Sequence, residues 1–150
     1  MPKISKSITI DVPVENVFSY MAKLTNLPKI WTNLKTVREV RCHIGIITGY
    51  EWTYYIEGIP FEGEAIISES IPNRRIVIKN KEVIPSSFVL SFQSLDGGTH
   101  LSVEVDYILP DELLEKHDEP SLAKKIEFGA EEVLKNLKTK MEDRSSPLDL

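Results

Sequence analysis

Apolar and polar residues alternate at the start of the chain, the period of a half-buried strand. Ile4, Ile8 and Ile10 fall on one face, with Ser5, Ser7 and Thr9 on the other. The period then lengthens: Val14, Val17, Phe18, Met21 and Leu24 recur at helical spacing. Pro13 suits a first helical position, and Glu15 complements the positive end of the helix dipole. Pro28 breaks this pattern and allows only one or two further turns, so the stretch up to Trp31 reads as two short helices in tandem.

From Lys35 to Tyr107 the period returns to two, in runs punctuated by turn residues. Strands are expected near 35–43, 48–57, 60–71, 74–82, 86–94 and 99–109, which with the first makes seven. The separators are Gly45 and Gly49, Gly58–Ile–Pro60, Pro72–Asn73, Pro85 and Asp96–Gly97–Gly98, whose glycines admit the positive φ of tight hairpins. A polar connection, Pro110 to Glu119, leads into Pro120 to Arg144, where Leu122, Ile126, Ala130, Val133, Leu137 and Met141 form one apolar helical stripe. The fold class is α+β: a curved antiparallel sheet and a long C-terminal helix in a single domain, residues 1–144, with 145–150 as a frayed tail.

This order resembles the helix-grip fold of the START-like (SRPBCC) superfamily, of the polyketide cyclase/dehydrase and lipid-transport type. The local likeness is carried by Ile8–Thr–Ile–Asp–Val–Pro–Val–Glu–Asn–Val–Phe18, by Leu27–Pro–Lys–Ile–Trp31 and by Ile71–Pro–Asn–Arg–Arg75. The resemblance implies an apolar cavity between sheet and last helix that takes lipids, sterols, quinones or polyketides. Some members are enzymes, whereas others carry, sense or bind protein partners, so the fold does not fix the chemistry.

Strand alternation nominates the cavity wall. On strand 48–57, Tyr50, Trp52, Tyr54 and Ile56 share a face, and aromatic rings there suit either a ligand wall or ordinary core. The next strand turns Phe61, Gly63, Ala65 and Ile67 inward; Gly63 and Ala65 leave space, though Gly63 can instead mark a bulge. Phe88 and Phe92 point inward later, as does Tyr107, which offers a polar contact where the chain leaves the sheet. On the final helix Ile126, Gly129 and Val133 should face the sheet. A glycine inside a helix costs about 1 kcal/mol relative to alanine, which implies close backbone approach or space kept for a ligand.

Composition narrows the function. A net charge of -5 argues against a broad electrostatic grip on nucleic acid. One cysteine, Cys42, excludes an internal disulfide and suggests a reducing, cytoplasmic setting. No apolar run reaches the ~18 residues of a membrane span. His43, His100 and His117 lack metal-site spacing, so neither metal nor cofactor is expected. Glu51, Glu57, Glu62 and Glu64 occupy polar strand faces, where carboxylates are solvated, and no phosphate loop or nucleophile motif is present. The leading expectation is therefore a non-catalytic binder or transporter of a hydrophobic small molecule. The alternatives are a cyclase, dehydratase or hydrolase using the same cavity, and a protein-interaction module.

Overall fold

The computed structural model describes residues 3–44 and 46–143. Gly45 and the expected tail at 145–150 lie outside the described residues. Seven strands form one antiparallel sheet: β1 (Lys3–Ile10), β2 (Leu34–His43), β3 (Ile46–Ile56), β4 (Ile59–Ile71), β5 (Arg75–Asn80), β6 (Ser86–Leu95) and β7 (Gly98–Tyr107). Their order is β1-β7-β6-β5-β4-β3-β2. The chain thus runs as a meander from β2 to β7, and β1 pairs with β7 to close the far edge. Two hairpins turn on adjacent positive-φ residues, Glu57–Gly58 and Asp96–Gly97, the pattern that matches the twist of antiparallel strands.

Between β1 and β2 lie α1 (Val14–Ala22) and a 3₁₀ helix, Leu24–Lys29. The break between them falls at Lys23, whose backbone is extended, and Pro28 sits inside the 3₁₀ helix rather than ending α1. The buried Asn26 side chain donates to the Tyr20 carbonyl at 3.0 Å, satisfying one of the carbonyls that a helix end leaves free. A four-residue helix, α2 (Asp111–Leu114), occupies the expected polar connection and buries Leu113 completely.

The long helix α3 spans Glu119–Glu142. Its N-cap, Asp118, accepts from the Ser121 amide at 2.8 Å, and Pro120 occupies the first turn, where its missing N–H costs nothing. Polar contacts hold α3 at several places around the sheet. Lys6 on β1 reaches Glu127 and Glu131, both at 2.8 Å; Lys138 donates to the Thr9 carbonyl at 2.6 Å; and Lys125 meets Glu57 of the β3–β4 turn at 2.8 Å. Asn136 donates to the Ile30 carbonyl beyond the 3₁₀ helix at 2.9 Å. The helix is therefore gripped from the β1 edge, from the β3–β4 hairpin and from the short helices.

Two buried clusters form beneath α3. One gathers α1, the 3₁₀ helix and the C-terminal part of α3 around Leu101, Ile76 and Leu137. The other gathers Phe61, Tyr107, Leu109, Leu113 and Leu122 near the start of α3. Trp52, Phe88 and Val103 pack against both. The seam between the clusters is where the core is not filled.

Candidate functional site

A cavity of about 190 Å³ occupies that seam. Successive strands supply its wall from alternate positions, as the pleat requires. Trp52, Tyr54 and Ile56 come from β3, Ala65 from β4, Ile78 and Asn80 from β5, and Ser86, Phe88 and Leu90 from β6. Val103, Val105 and Tyr107 come from β7, and Ile4 and Lys6 from β1. Ile126, Ala130, Val133 and Leu134 of α3 roof it, and Leu24, Leu27 and Trp31 close the end by the short helices.

Seven of the residues nominated from sequence line this cavity: Trp52, Tyr54, Ala65, Phe88, Tyr107, Ile126 and Val133. Tyr50, Gly63, Phe92 and Gly129 do not. Tyr50 is buried in the solid core and shows only 5 % exposure. Phe92 shares the parity of Phe88 but lies under α1, edge-on to Phe18 with ring centroids 5.2 Å apart. Gly63 is not a bulge either, because its pairing with Trp52 continues unbroken along β3 and β4; the irregularity of β4 falls between Ile67 and Glu69. The space above Gly63 is filled by the Trp52 indole, so it is not open to a ligand. At Gly129 an added Cβ would meet nothing within 4 Å, so neither close packing on the sheet nor cavity wall explains it.

The wall has one polar stretch. Across β4, β5, β6 and β7 the directly paired residues Ala65, Asn80, Ser86 and Tyr107 form a single row on the cavity face. Asn80 is only 9 % exposed. The Trp52 Nε1–H donates to its Oδ1 at 2.8 Å, its Nδ2 donates to Ser86 Oγ at 2.9 Å, and Ser86 Oγ donates to the Ile84 carbonyl at 3.0 Å. The indole can only donate, so its bond fixes which end of the amide faces Trp52.

The remaining polar groups are two tyrosines and a lysine. Trp31 meets Tyr54 edge-on at 5.2 Å and Phe88 at 6.0 Å. Burial raises the Tyr54 hydroxyl above its ordinary pKa, partly offset by hydrogen bonds with the Trp31 and Asn33 side chains. Burial, reinforced by the Glu119 and Glu127 carboxylates, raises Tyr107 likewise. Both therefore stay protonated near neutrality. Lys6 lies on the same face of β1 as Ile4 and Ile8, and its two carboxylate partners raise its pKa above the ordinary lysine value. Among the described residues it is the only charged one in the wall, and it is already paired with two acids. Lys6, Trp31, Asn80 and Ser86 were not nominated for the cavity wall from sequence. The first and last two were legible in principle as polar residues at inward parity.

Among the described residues no group of three His, Cys, Asp or Glu side chains could hold a metal ion, and no helix is long and apolar enough to cross a membrane.

Comparison with known proteins agrees with this architecture. The profile of the family described as polyketide cyclase/dehydrase and lipid transport matches residues 1–142. No curated protein matches the chain by sequence. In structure it is similar to a protein from Thermus thermophilus, with 20% identity, 97% of this chain and 100% of that one covered, and a TM-score of 0.79. It is also similar to a START superfamily protein from Mycobacterium smegmatis, with 16% identity, 93% and 97% covered, and a TM-score of 0.77. An aromatase/cyclase from a Streptomyces species has 15% identity, 98% and 97% coverage, and a TM-score of 0.74. At these identities the likeness establishes the helix-grip fold alone.

Proposed function

The chain belongs to the polyketide cyclase/dehydrase and lipid transport family, and we propose that it binds and carries a hydrophobic small molecule in the cavity between the sheet and α3, without transforming it. The observation that carries this reading is the chemistry of the wall. It is apolar except for one hydrogen-bonded row, two protonated tyrosines and a lysine tied to two acids. A cyclase or dehydratase needs a group that can take a proton near neutral pH. Among the described residues the wall offers no carboxylate or histidine for that task, and tyrosines whose pKa is raised are poorer bases at pH 7, not better ones.

The size of the effect sets what to look for. Burying an aromatic ring of about 150 Å² contributes about 4 kcal/mol, which by itself corresponds to a Kd of about 1 mM. Tighter binding needs a longer apolar body or a satisfied polar contact. Native mass spectrometry of freshly purified protein tests the proposal: a co-purifying hydrophobic mass released by mild activation is expected. Persistent absence of any such mass, combined with no binding across small neutral arenes and phenols, quinones, fatty acids, sterols and flavonoids, would overturn it.

A further inference from the structure

The polar row on the cavity floor is only half used. An amide side chain has two N–H donors and two acceptor lone pairs, and Asn80 spends one of each, on Ser86 and on Trp52. Ser86 spends its only proton on the Ile84 carbonyl, so toward the cavity it can only accept. The second N–H of Asn80 is left over in an apolar chamber, on a residue that is 9 % exposed. A buried donor without an acceptor is costly. If pinning the Trp52 indole were the only task, the carbonyl end alone would suffice. Two positions along the same row, the Tyr107 hydroxyl also has no hydrogen-bond partner among the described residues.

Size and charge restrict what can answer these donors. A cavity of about 150 Å³ accommodates benzene, and this one, at about 190 Å³, has room for one ring with a few substituent atoms. A four-ring body is too large to be enclosed in such a volume. The one cation that the described residues bring to the wall, Lys6, is neutralised by Glu127 and Glu131 at 2.8 Å each, so no positive charge remains there to offset a buried carboxylate.

We propose that the cavity selects an uncharged, single-ring-sized molecule bearing one hydroxyl or carbonyl oxygen, and that this oxygen docks on the free Asn80 N–H. The inference rests on the small-molecule-binding reading above and specifies the ligand class. The hydrogen bond adds selectivity to the burial of the ring, because an analogue lacking the oxygen leaves the donor unpaired.

Isothermal titration calorimetry with toluene, p-cresol and 4-methylbenzoate tests it on the unaltered protein. The expected order is p-cresol about fivefold or more tighter than toluene, with no measurable binding of 4-methylbenzoate. Failure of all three to bind would remove the binding reading itself for molecules of this size. Equal binding of toluene and p-cresol would leave that reading standing and overturn the role of the polar row, as would preferential binding of 4-methylbenzoate. Asn80→Leu deletes the donor without offering the phenol hydroxyl a carboxylate to bond, so it should abolish the p-cresol preference, whereas Tyr107→Phe should retain it. The reverse result in these two variants would overturn Asn80 as the docking donor, and the comparison on the unaltered protein stands even where a variant fails to fold.

Discussion

The Trp52 indole lies flat over Gly63 of the neighbouring strand: a Cβ at position 63 would sit 2.3 Å from its Cζ2 atom and 2.8 Å from Cε2. The missing side chain is what lets the ring cross β4 and place its N–H 2.8 Å from the Asn80 carbonyl oxygen on β5. One glycine, one tryptophan and one asparagine on three successive strands thus build the cavity floor as a unit.

Gly63→Ala should therefore destabilise the protein. The gain from a less flexible unfolded chain is at most about 1 kcal/mol. Against it stand overpacking of a rigid ring, about 1 to 3 kcal/mol, and loss of the bond to Asn80. A net fall in stability measured by urea unfolding is expected, together with a changed tryptophan emission spectrum in the folded state. An unchanged or raised stability would mean that the ring moves freely.

Gly129 should respond in the opposite sense. Nothing lies within 4 Å of its missing Cβ, and it is neither cavity wall nor sheet contact. Gly129→Ala should stabilise α3 by about 0.5 to 1 kcal/mol through helix propensity alone and leave hydrophobic-ligand affinity unaltered. Destabilisation in a urea titration would show that the position is packed after all.

Both tryptophans should report an occupant of the cavity. Trp31, contributed from beyond the 3₁₀ helix, lines it as Trp52 does and stacks edge-on against Tyr54. Trp31→Phe and Trp52→Phe each leave one fluorophore, and a bound ring should change the emission of both variants. A response confined to the Trp31 signal would place the ligand by the short helices and away from the polar row.

Strand parity made most of this legible from the sequence, and its shortfalls have physical reasons. Alternation placed Trp52, Tyr54, Ala65, Phe88 and Tyr107 on the correct face, because a pleated strand leaves a side chain only two directions. Parity says nothing of position along the strand, which is why Phe92 and Tyr50, on the same faces, lie in filled core instead. It also does not show what fills a gap: the space implied by Gly63 was real but belonged to Trp52. Asn80, Ser86 and Lys6 lie at inward parity among isoleucines and phenylalanines. A polar residue in such a run reads as an interruption until its partners on other elements, Trp52 of β3 for Asn80 and Glu127 of α3 for Lys6, are seen. The helix α2 was too short for any period to reveal.

Alkaline pH should loosen the protein in a way that three tyrosines of its interior control. Tyr50, Tyr54 and Tyr107 have pKa values raised chiefly by burial, with nearby carboxylates adding to the effect at Tyr50 and Tyr107. The folded state therefore keeps protons that the unfolded chain releases above the ordinary tyrosine value of about 10. Below that value the shift has no effect on stability. Above it the unfolded state is favoured increasingly until the folded-state pKa is passed, so stability falls as pH rises through this window. Melting temperatures should be level from about pH 7 to pH 9 and decline above about pH 10. Tyr107→Phe, which deletes a titrating hydroxyl that has no partner among the described residues, should make that decline shallower while changing the melting temperature little at neutral pH. A decline of equal steepness in the variant would show that Tyr107 ionises as freely in the folded protein as in the unfolded chain, and that its hydroxyl is open to water rather than enclosed above the polar row.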